Sequence, residues 1–276
     1  MNEATTGTHA IHNGRVILSS QATVPVSSKA VQYGFTTYES LRVVGGVAIH
    51  LADHLQRLKN SCSIIGLEHP FTAQQISGWV AKLLAVDTIQ EATVRIQLYG
   101  GAEPQLFILA QEIISYPEHY YTDGVGAITY HGERLIPSSK TGNLLLNYLA
   151  LEEAKRQGCF EALLVDRHGA VLEGTRSNFY GFSGNTLYTA PDDLVLQGIT
   201  RDRVIAAASE LGFSLVFQVI LLEDLRANRY DELFISATSM AAMPLAAVDS
   251  RPYPSSYERT AAIKRLVRSW DSKEDV

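Results

Sequence analysis

Lys140 is the residue of this sequence whose surroundings most suggest chemistry. It follows Ile136-Pro-Ser-Ser139 and precedes Thr-Gly-Asn and a leucine-rich segment that is typical of a helix. An amine acts as a nucleophile or base only after losing its proton, which burial or nearby positive charge makes easier. Lys140 is therefore either a solvated residue at a helix start or an amine held where a core element opens onto a pocket. A buried helical face is predicted after Lys140 from the spacing of Leu144, Leu145, Tyr148, Leu149 and Leu151.

Three other features carry chemistry that complements an amine. Glu173 ends a strand-like segment, and a buried carboxylate there can hold a proton on a ring nitrogen. The segment Gly198-Ile-Thr-Arg-Asp202 predicts a helix capped by Thr200, whose first N–H groups can bind phosphate. The hydroxyl-rich turn Ser236-Ala-Thr-Ser239 follows a strand and can offer further donors. Arg57 lies on a predicted helix, from which it can reach an anion.

Each feature also has a purely structural explanation. A lysine at a helix start is usually solvated, and a helix start is usually only capped. Glu173 can pair with Arg176 at the strand end. Arg57 can pair with Asp53, one helical turn away. Taken together, however, the features describe one ligand with a phosphate, a ring nitrogen that needs a carboxylate and a carbonyl that an amine captures. Pyridoxal 5′-phosphate is such a ligand.

The elements that must position these residues group into two α+β units. The first is expected to span residues 1–117, the interdomain linker 118–123 and the second unit 124–276. Two units with mixed sheets leave a cleft, which is a preferred place for a small-molecule site. The strands predicted in the first unit are Ala10–Val16, Gln32–Val44, Gly46–Ile49, Ala92–Tyr99 and Gln105–Ile113, and its helices are Leu51–Ile65 and Phe71–Ala85. The strands predicted in the second unit are Gly126–Tyr130, Glu161–Val165, Gly169–Leu172, Asn178–Gly181, Val216–Leu221 and Glu232–Ser236. Four helices are predicted in this unit. The first follows Lys140 and ends at Gln157, and the others are Thr200–Leu211, Leu222–Ala227 and Ser256–Trp270.

The net charge and the distribution of apolar residues, cysteines and histidines argue against several classes of partner, location and site. A formal net charge of −6 argues against nucleic acid or an anionic membrane as partner, because both need a basic surface. No apolar run is long enough to span a bilayer, and the N-terminus has no secretory pattern. Cys62 and Cys159 have no CxxC partner and are expected to be reduced thiols of a cytoplasmic protein. We expect no metal site, because the His50–His54 spacing lacks the glutamate of H-E-x-x-H.

Six motifs in this chain resemble the successive motifs of class IV aminotransferases. These are the fold-type IV pyridoxal-phosphate enzymes, which include branched-chain aminotransferases, D-amino-acid aminotransferases, (R)-selective amine transaminases and aminodeoxychorismate lyase. The motifs stand in the family's order and cover nearly the whole chain. They are Tyr33-Gly-Phe-Thr-Thr-Tyr-Glu-Ser-Leu-Arg42, His54-Leu-Gln-Arg-Leu58, Lys140-Thr-Gly-Asn143, Leu172-Glu-Gly-Thr-Arg-Ser-Asn178, Gly198-Ile-Thr-Arg-Asp202 and Ala237-Thr-Ser239.

The resemblance implies a fold, a cofactor and a set of roles. The fold would be α+β, with a smaller N-terminal α/β sandwich domain and a larger C-terminal mixed-sheet, barrel-like domain. Lys140 would hold pyridoxal 5′-phosphate as a Schiff base and then move a proton, and Glu173 would hold the pyridinium proton. The family is usually homodimeric, with a loop of the partner subunit closing over the site. The residues implied to hold the phosphate are Arg57, Ile199, Thr200, Thr238 and Ser239, and those around the substrate are Tyr33, Tyr38, Arg95, Thr238 and Ser239.

Departures from the family pattern narrow the expected activity. Leu98-Tyr-Gly-Gly101 stands where D-amino-acid enzymes carry a Thr-Arg-Gly turn, so their carboxylate-gripping arginine is absent. We therefore expect an aminotransferase that moves an amino group between an apolar, branched-chain L-amino acid and 2-oxoglutarate. The alternatives are a D-amino-acid or (R)-amine transaminase and, after these, aminodeoxychorismate lyase. A binding module without cofactor is a further alternative, but it has little reason to keep both Lys140 and Glu173.

Overall fold

The computed structural model describes residues 6–253 and 256–271, and their contacts divide the chain into two compact units. Of the described residues, the first unit contains 6–114 and 139–143, and the second contains the rest. Helices and strands are mixed in both, as the predicted α+β class requires. No helix among the described residues combines the length and the apolar character needed to cross a membrane.

The first unit is built on one antiparallel sheet. Its elements in chain order are β1 (His9–His12), β2 (Arg15–Leu18), α1 (Lys29–Tyr33), β3 (Thr36–Val44), β4 (Val47–Ala48), α2 (Leu51–Ile64), α3 (Ala73–Val86), β5 (Ala92–Tyr99) and β6 (Gln105–Gln111). The strand order is β2-β1-β6-β5-β3-β4. Helix α2 packs on β3, and α3 packs on β1 and β6. The sheet therefore has one face covered by helices.

The two faces of this sheet differ because β3 and β5 alternate in polarity. Leu41, Val43, Val94 and other apolar side chains of one face are fully buried in the core with α2 and α3. The opposite face carries half-buried polar residues. Ser40 of β3 lies opposite Arg95 of β5, and Arg42 lies opposite Thr93. Since side chains in strands alternate, this face brings Tyr38, Arg42 and Arg95 together.

The second unit contains a closed barrel of strands. Its elements are α4 (His119–Thr122), β7 (Val125–His131), α5 (Leu145–Arg156), β8 (Glu161–Val165), β9 (Ala170–Gly174), β10 (Asn178–Ser183), β11 (Thr186–Thr189), α6 (Ile199–Glu210), β12 (Ser214–Phe217), β13 (Ile220–Leu221), α7 (Leu222–Arg226), β14 (Glu232–Ala237), β15 (Ala241–Val248), β16 (Arg251–Pro252) and α8 (Glu258–Asp271). Pairings run β10-β14-β15-β7-β8-β9, and β9 pairs again with β10, so six strands form a ring. The barrel-like C-terminal domain predicted from the resemblance is confirmed.

Several predicted elements of the first unit differ from the structure. Ala10–Val16 is not one strand, because Asn13 and Gly14 adopt positive φ angles of 47° and 82° and turn the chain between β1 and β2. The predicted strand Gln32–Val44 begins too early. Helix α1 occupies Lys29–Tyr33, where Ser28 caps its start and Gly34 ends it in the left-handed region.

In the second unit, the predictions also missed elements. Residues 118–123, expected as a linker, contain the short helix α4. Val216–Leu221 is two short strands, β12 and β13, and β11 and β15 were not predicted. Thr200 is not the cap of α6, because the N-cap position belongs to Gly198. Residues 254–255 and 272–276 of the predicted second unit, and 1–5 of the first, lie outside the described residues.

Candidate active site

Lys140 lies in an extended segment that pairs with β3 rather than at the start of a helix, since α5 begins five residues later. The Tyr38 N–H donates to the Lys140 carbonyl at 3.1 Å, and the Gly142 N–H donates to the Thr36 carbonyl at 3.0 Å. Helix α2 holds the segment from its other side through Ser61. The Lys140 N–H donates to Ser61 Oγ at 3.0 Å, and Ser139 Oγ donates to the Ser61 carbonyl at 3.1 Å. The backbone of the lysine is therefore fixed by both a strand and a helix.

The Lys140 side chain lies on the polar face of the first sheet. Its Nζ is 4.7 Å from the centre of the Tyr38 ring, and the Arg95 guanidinium carbon is 4.6 Å from the same ring. An aromatic face attracts cations at such distances. The structure thus brings together three of the residues predicted for catalysis and substrate binding. Arg42, which the sequence reading did not assign, lies on the same face.

Arg57 is paired with Glu39, a residue the sequence reading did not assign, in a buried cluster. Arg57 Nε donates to Glu39 Oε1 at 2.8 Å, and Nη2 donates to Oε2 at 2.7 Å, so the fork is bidentate. His54 Nδ1 lies 2.7 Å from Glu39 Oε2. The carboxylate of Glu39 is fully buried. The bidentate geometry fixes the guanidinium of the residue predicted to bind phosphate.

The pKa values of this cluster follow from burial and charge. Burial raises the pKa of Glu39, but the Arg57 charge and the hydrogen bonds from Arg57 and His54 outweigh it and lower the pKa to about 2. Burial lowers the pKa of His54, although Glu39 opposes this effect. We therefore describe His54 as a neutral ring that donates its Nδ1 proton to an ionised Glu39.

Glu173 lies at the end of β9 and is nearly buried. Arg134 Nη1 is 3.3 Å from Glu173 Oε1, and the Leu196 N–H donates to Oε2 at 3.1 Å. The partner suggested by the sequence, Arg176, is instead 3.8 Å from Glu161. A charged partner and a backbone donor hold this carboxylate in one orientation, as a residue that binds a ring proton requires.

The start of α6 has the features of an anion site. Its N-cap residue is Gly198, so no side chain caps the first N–H groups, which include those of Ile199 and Thr200. A Cβ at Gly198 would clash with Asn178 Oδ1, whose amide nitrogen donates to the Leu196 carbonyl at 2.8 Å. A larger residue here would require Asn178 to move, and the N-cap position supplies no side-chain hydrogen bond to the predicted phosphate-binding N–H groups.

The turn Thr238–Ala241, which joins β14 to β15, carries the remaining predicted phosphate residues. The Met240 N–H donates to the Ala237 carbonyl at 3.0 Å. Ala241 is held at a φ of 57°, a left-handed conformation that is strained for a residue with a Cβ. Backbone strain of this kind concentrates at functional sites.

The exposure of two further features bears on the predictions: Tyr33 stays a predicted substrate neighbour, whereas the predicted buried face of α5 is wrong. Tyr33, expected beside the substrate, is 77% exposed at the end of α1. The predicted buried face of α5 is largely solvent-exposed, with Leu145 66%, Tyr148 61% and Leu149 46% exposed. The buried positions of α5 are instead Asn147, Ala150 and Ala154.

The residues present fit pyridoxal 5′-phosphate. The described chain offers an amine with a fixed backbone, a buried oriented carboxylate and a helix start without a side-chain cap, which are the groups this cofactor needs. Among residues 6–253 and 256–271, no cluster of three or more His, Cys, Asp or Glu residues could hold a metal ion.

Known proteins are similar to this chain over most of its length. A family model described as amino-transferase class IV matches residues 36–248. A putative branched-chain-amino-acid aminotransferase of Methanocaldococcus jannaschii is 32% identical over 256 residues, or 87% of each chain. A D-alanine aminotransferase of Bacillus licheniformis is 29% identical over 253 residues, covering 87% of this chain and 88% of the relative. The crystal structure of a branched-chain aminotransferase from Thermoproteus uzoniensis with norvaline is 26% identical, with a TM-score of 0.88 over 98% of this chain and 96% of the other.

Proposed function

The chain belongs to the class IV aminotransferase family, and from that premise we propose that it moves an amino group between a branched-chain L-amino acid and 2-oxoglutarate in a ping-pong cycle. It is a transaminase, and its cofactor is pyridoxal 5′-phosphate. When bound, this cofactor supplies an aldehyde that captures the amino group and a ring that accepts the electron pair released at the substrate Cα.

The proposed roles follow from the chemistry of each residue. Lys140 is the residue that would hold the cofactor through its aldehyde carbon, and as a free amine it would carry the proton taken from the substrate Cα. Glu173 holds a proton on the ring nitrogen, and its contacts with Arg134 and Leu196 support this orientation. The phosphate is bound by Arg57, the N–H groups of Ile199 and Thr200, and the donors of Thr238 and Ser239.

The observation that carries the choice of acceptor is the pair of arginines on the polar face of the first sheet. Arg42 and Arg95 are on adjacent strands of that face, and Arg95 stacks on the Tyr38 ring that Lys140 also contacts. A guanidinium binds a carboxylate more strongly than a neutral donor does. A second carboxylate, as in 2-oxoglutarate, is a substrate group that a guanidinium on this face would bind.

A second candidate function is a D-amino-acid transaminase. The observation that favours it is the similarity to the B. licheniformis protein named D-alanine aminotransferase. The turn Leu98-Tyr-Gly-Gly101 argues against it, because it offers no arginine to grip a carboxylate. An (R)-amine transaminase stands beside it as part of the same alternative, because an amine donor without a carboxylate does not need that arginine.

Half-reactions with single amino donors distinguish these functions. We mix the holoenzyme with L-leucine, D-alanine or (R)-1-phenylethylamine and follow the absorbance change of the cofactor as it takes up the amino group. The proposal predicts conversion with L-leucine, and faster conversion with either of the other donors would contradict it. The second half-reaction, in which the aminated cofactor passes the amino group to 2-oxoglutarate, is then measured by the reverse absorbance change.

Arg95→Leu tests the acceptor specifically. We expect KM for 2-oxoglutarate to rise roughly 10- to 100-fold, because a charge-assisted hydrogen bond is lost, while the half-reaction with L-leucine changes little. Arg15→Leu removes an exposed arginine of the same sheet and is the matched control. Equal losses with L-leucine and 2-oxoglutarate would contradict a role for Arg95 in binding the second carboxylate.

A homodimer is also part of the proposal. The exposed Leu145, Tyr148 and Leu149 lie at positions i, i+3 and i+4 of α5 and form an apolar stripe. Contiguous exposed apolar surface of this kind marks protein interfaces. Sedimentation as a monomer alone at micromolar concentration would contradict the dimer.

The free thiols of Cys62 and Cys159 support the proposal of a reducing compartment, the cytoplasm.

A further inference from the structure

The side chain of Arg268, on the last helix of the second unit, contacts the backbone carbonyls of the turn Thr238–Ser239. Its Nη2 donates to the Ser239 carbonyl at 2.9 Å, and its Nη1 lies 3.3 Å from the Thr238 carbonyl. The same Nη1 donates to Asp271 Oδ2 at 2.8 Å, one helical turn further along α8. A guanidinium is planar and rigid, so a fork on two consecutive carbonyls fixes both peptide planes.

The consequence for the turn follows from peptide geometry. The described chain contains no cis peptide bond, and in a trans peptide the C=O and the next N–H point in opposite directions. Since the Thr238 carbonyl is directed to α8, the Ser239 N–H is directed away from it. Arg268 therefore determines which way this donor faces.

Other contacts hold the turn but cannot replace the fork. Tyr116 Oη lies 3.3 Å from Ser239 Oγ, and Tyr121 Oη donates to the Met240 carbonyl at 3.3 Å. The next residue, Ala241, has a left-handed φ of 57°, which a chain with a Cβ adopts only when its surroundings impose it. The contact from Arg268 to the Thr238 carbonyl is as long as the two tyrosine contacts, but it belongs to a charged fork whose other bond, to the Ser239 carbonyl, is 2.9 Å.

We propose that Arg268 is a positioning residue, which orients the Thr238–Ser239 turn so that its donors bind the phosphate of the cofactor. This rests on the proposed function, since it takes Thr238 and Ser239 as phosphate ligands. Arg268 does not touch the cofactor in this role, and its effect passes through the two carbonyls. A mere anchor for α8 would affect stability but would not distinguish a ligand with a phosphate from one without.

The test compares the affinities of apoenzyme for pyridoxal 5′-phosphate and for pyridoxal, which lacks the phosphate, by absorbance titration. For Arg268→Gln we expect the Kd for pyridoxal 5′-phosphate to rise at least about tenfold, with the Kd for pyridoxal within about twofold of the parent. Arg268→Lys keeps the charge but cannot form the planar fork, so we expect the same selective loss. Arg265→Gln removes an exposed arginine of the same helix and is the control.

The outcomes separate this inference from the proposed function. Equal weakening of both ligands, or no weakening of either, in Arg268→Gln would overturn the positioning role. If Arg268→Gln does not fold, Arg268→Lys decides by the same comparison. A parent apoenzyme that binds neither ligand would contradict the proposed function instead, because the positioning role presupposes a bound phosphate.

Discussion

Lys140→Ala is expected to lower kcat by about 10⁴-fold or more, because the variant loses both the nucleophile and the group that moves the proton. The fold should not change. The hydrogen bonds from this segment to β3 and α2 are made by backbone atoms and by Ser61 and Ser139, all of which the variant keeps. We therefore expect the free energy of unfolding to stay within about 0.5 kcal/mol of the parent, as for most surface substitutions.

The measurements that check this are steady-state transamination and mass spectrometry after borohydride reduction. The parent should carry a reduced cofactor adduct on the Lys140 peptide, and Lys140→Ala should carry none. Lys140→Arg keeps the charge without an amine that loses its proton and should be equally inactive. Lys59→Ala, an exposed lysine of α2, is the control. A Lys140→Ala protein that turns over at the parent rate would refute the assigned role.

Glu39→Gln is expected to destabilise the protein by about 3 kcal/mol at neutral pH. The buried Glu39 carboxylate is the counter-charge of Arg57 and accepts a hydrogen bond from His54 Nδ1. Removing one partner of a buried ion pair leaves the other charge uncompensated, which costs more than the pair contributes. Urea unfolding of the variant and of Glu91→Gln, an exposed glutamate of the same unit, gives the comparison.

The pH dependence of stability tests the same cluster. The folded-state pKa of Glu39 is lowered from 4.5 to about 2. A lowered carboxylate pKa contributes stability that is fully present above about pH 4.5 and is lost as the pH falls towards 2. This shift corresponds to roughly 3 kcal/mol. The difference in unfolding free energy between parent and Glu39→Gln should therefore shrink over this range, and a constant difference would contradict an ionised Glu39.

Some elements were predictable because local pattern and tertiary structure agree. The apolar spacing of Leu51–Ile64 and the alternation of Ala92–Tyr99 gave the correct element in each case. The residue types Asn13-Gly14 favour a two-residue hairpin turn, which divides the predicted strand Ala10–Val16. Helix α1 was missed because aromatic and β-branched residues follow it directly, and their strand propensity masked the cap at Ser28 and the stop at Gly34.

In the candidate site, some residues are predictable from local motifs, whereas the residues that contact them are not. Lys140, Glu173 and the start of α6 carry local motifs, so the sequence alone predicts them as site residues. The partners of these residues come from distant segments: Ser61 from α2, Arg134 from the loop after β7. One signal was available for Glu39, because it occupies an inward position between Thr37 and Leu41 on β3. An inward glutamate needs a cation, but the sequence does not say which one.

Residues 140–142 pair with β3 as an extended segment, so successive side chains point to opposite sides and the position of Lys140 in the segment sets the direction of its amine. Ser139 and Thr141 are buried, whereas Lys140 between them is directed to the Tyr38 side. A Cβ at Gly142 would clash with Thr36 Oγ1 unless that side chain moved, so glycine lets the segment lie close to β3. Inserting or deleting a single residue just ahead of Lys140 would point the ammonium group into the core and present a hydroxyl in its place. Chain length here is thus as much a part of the chemistry as the identity of the lysine.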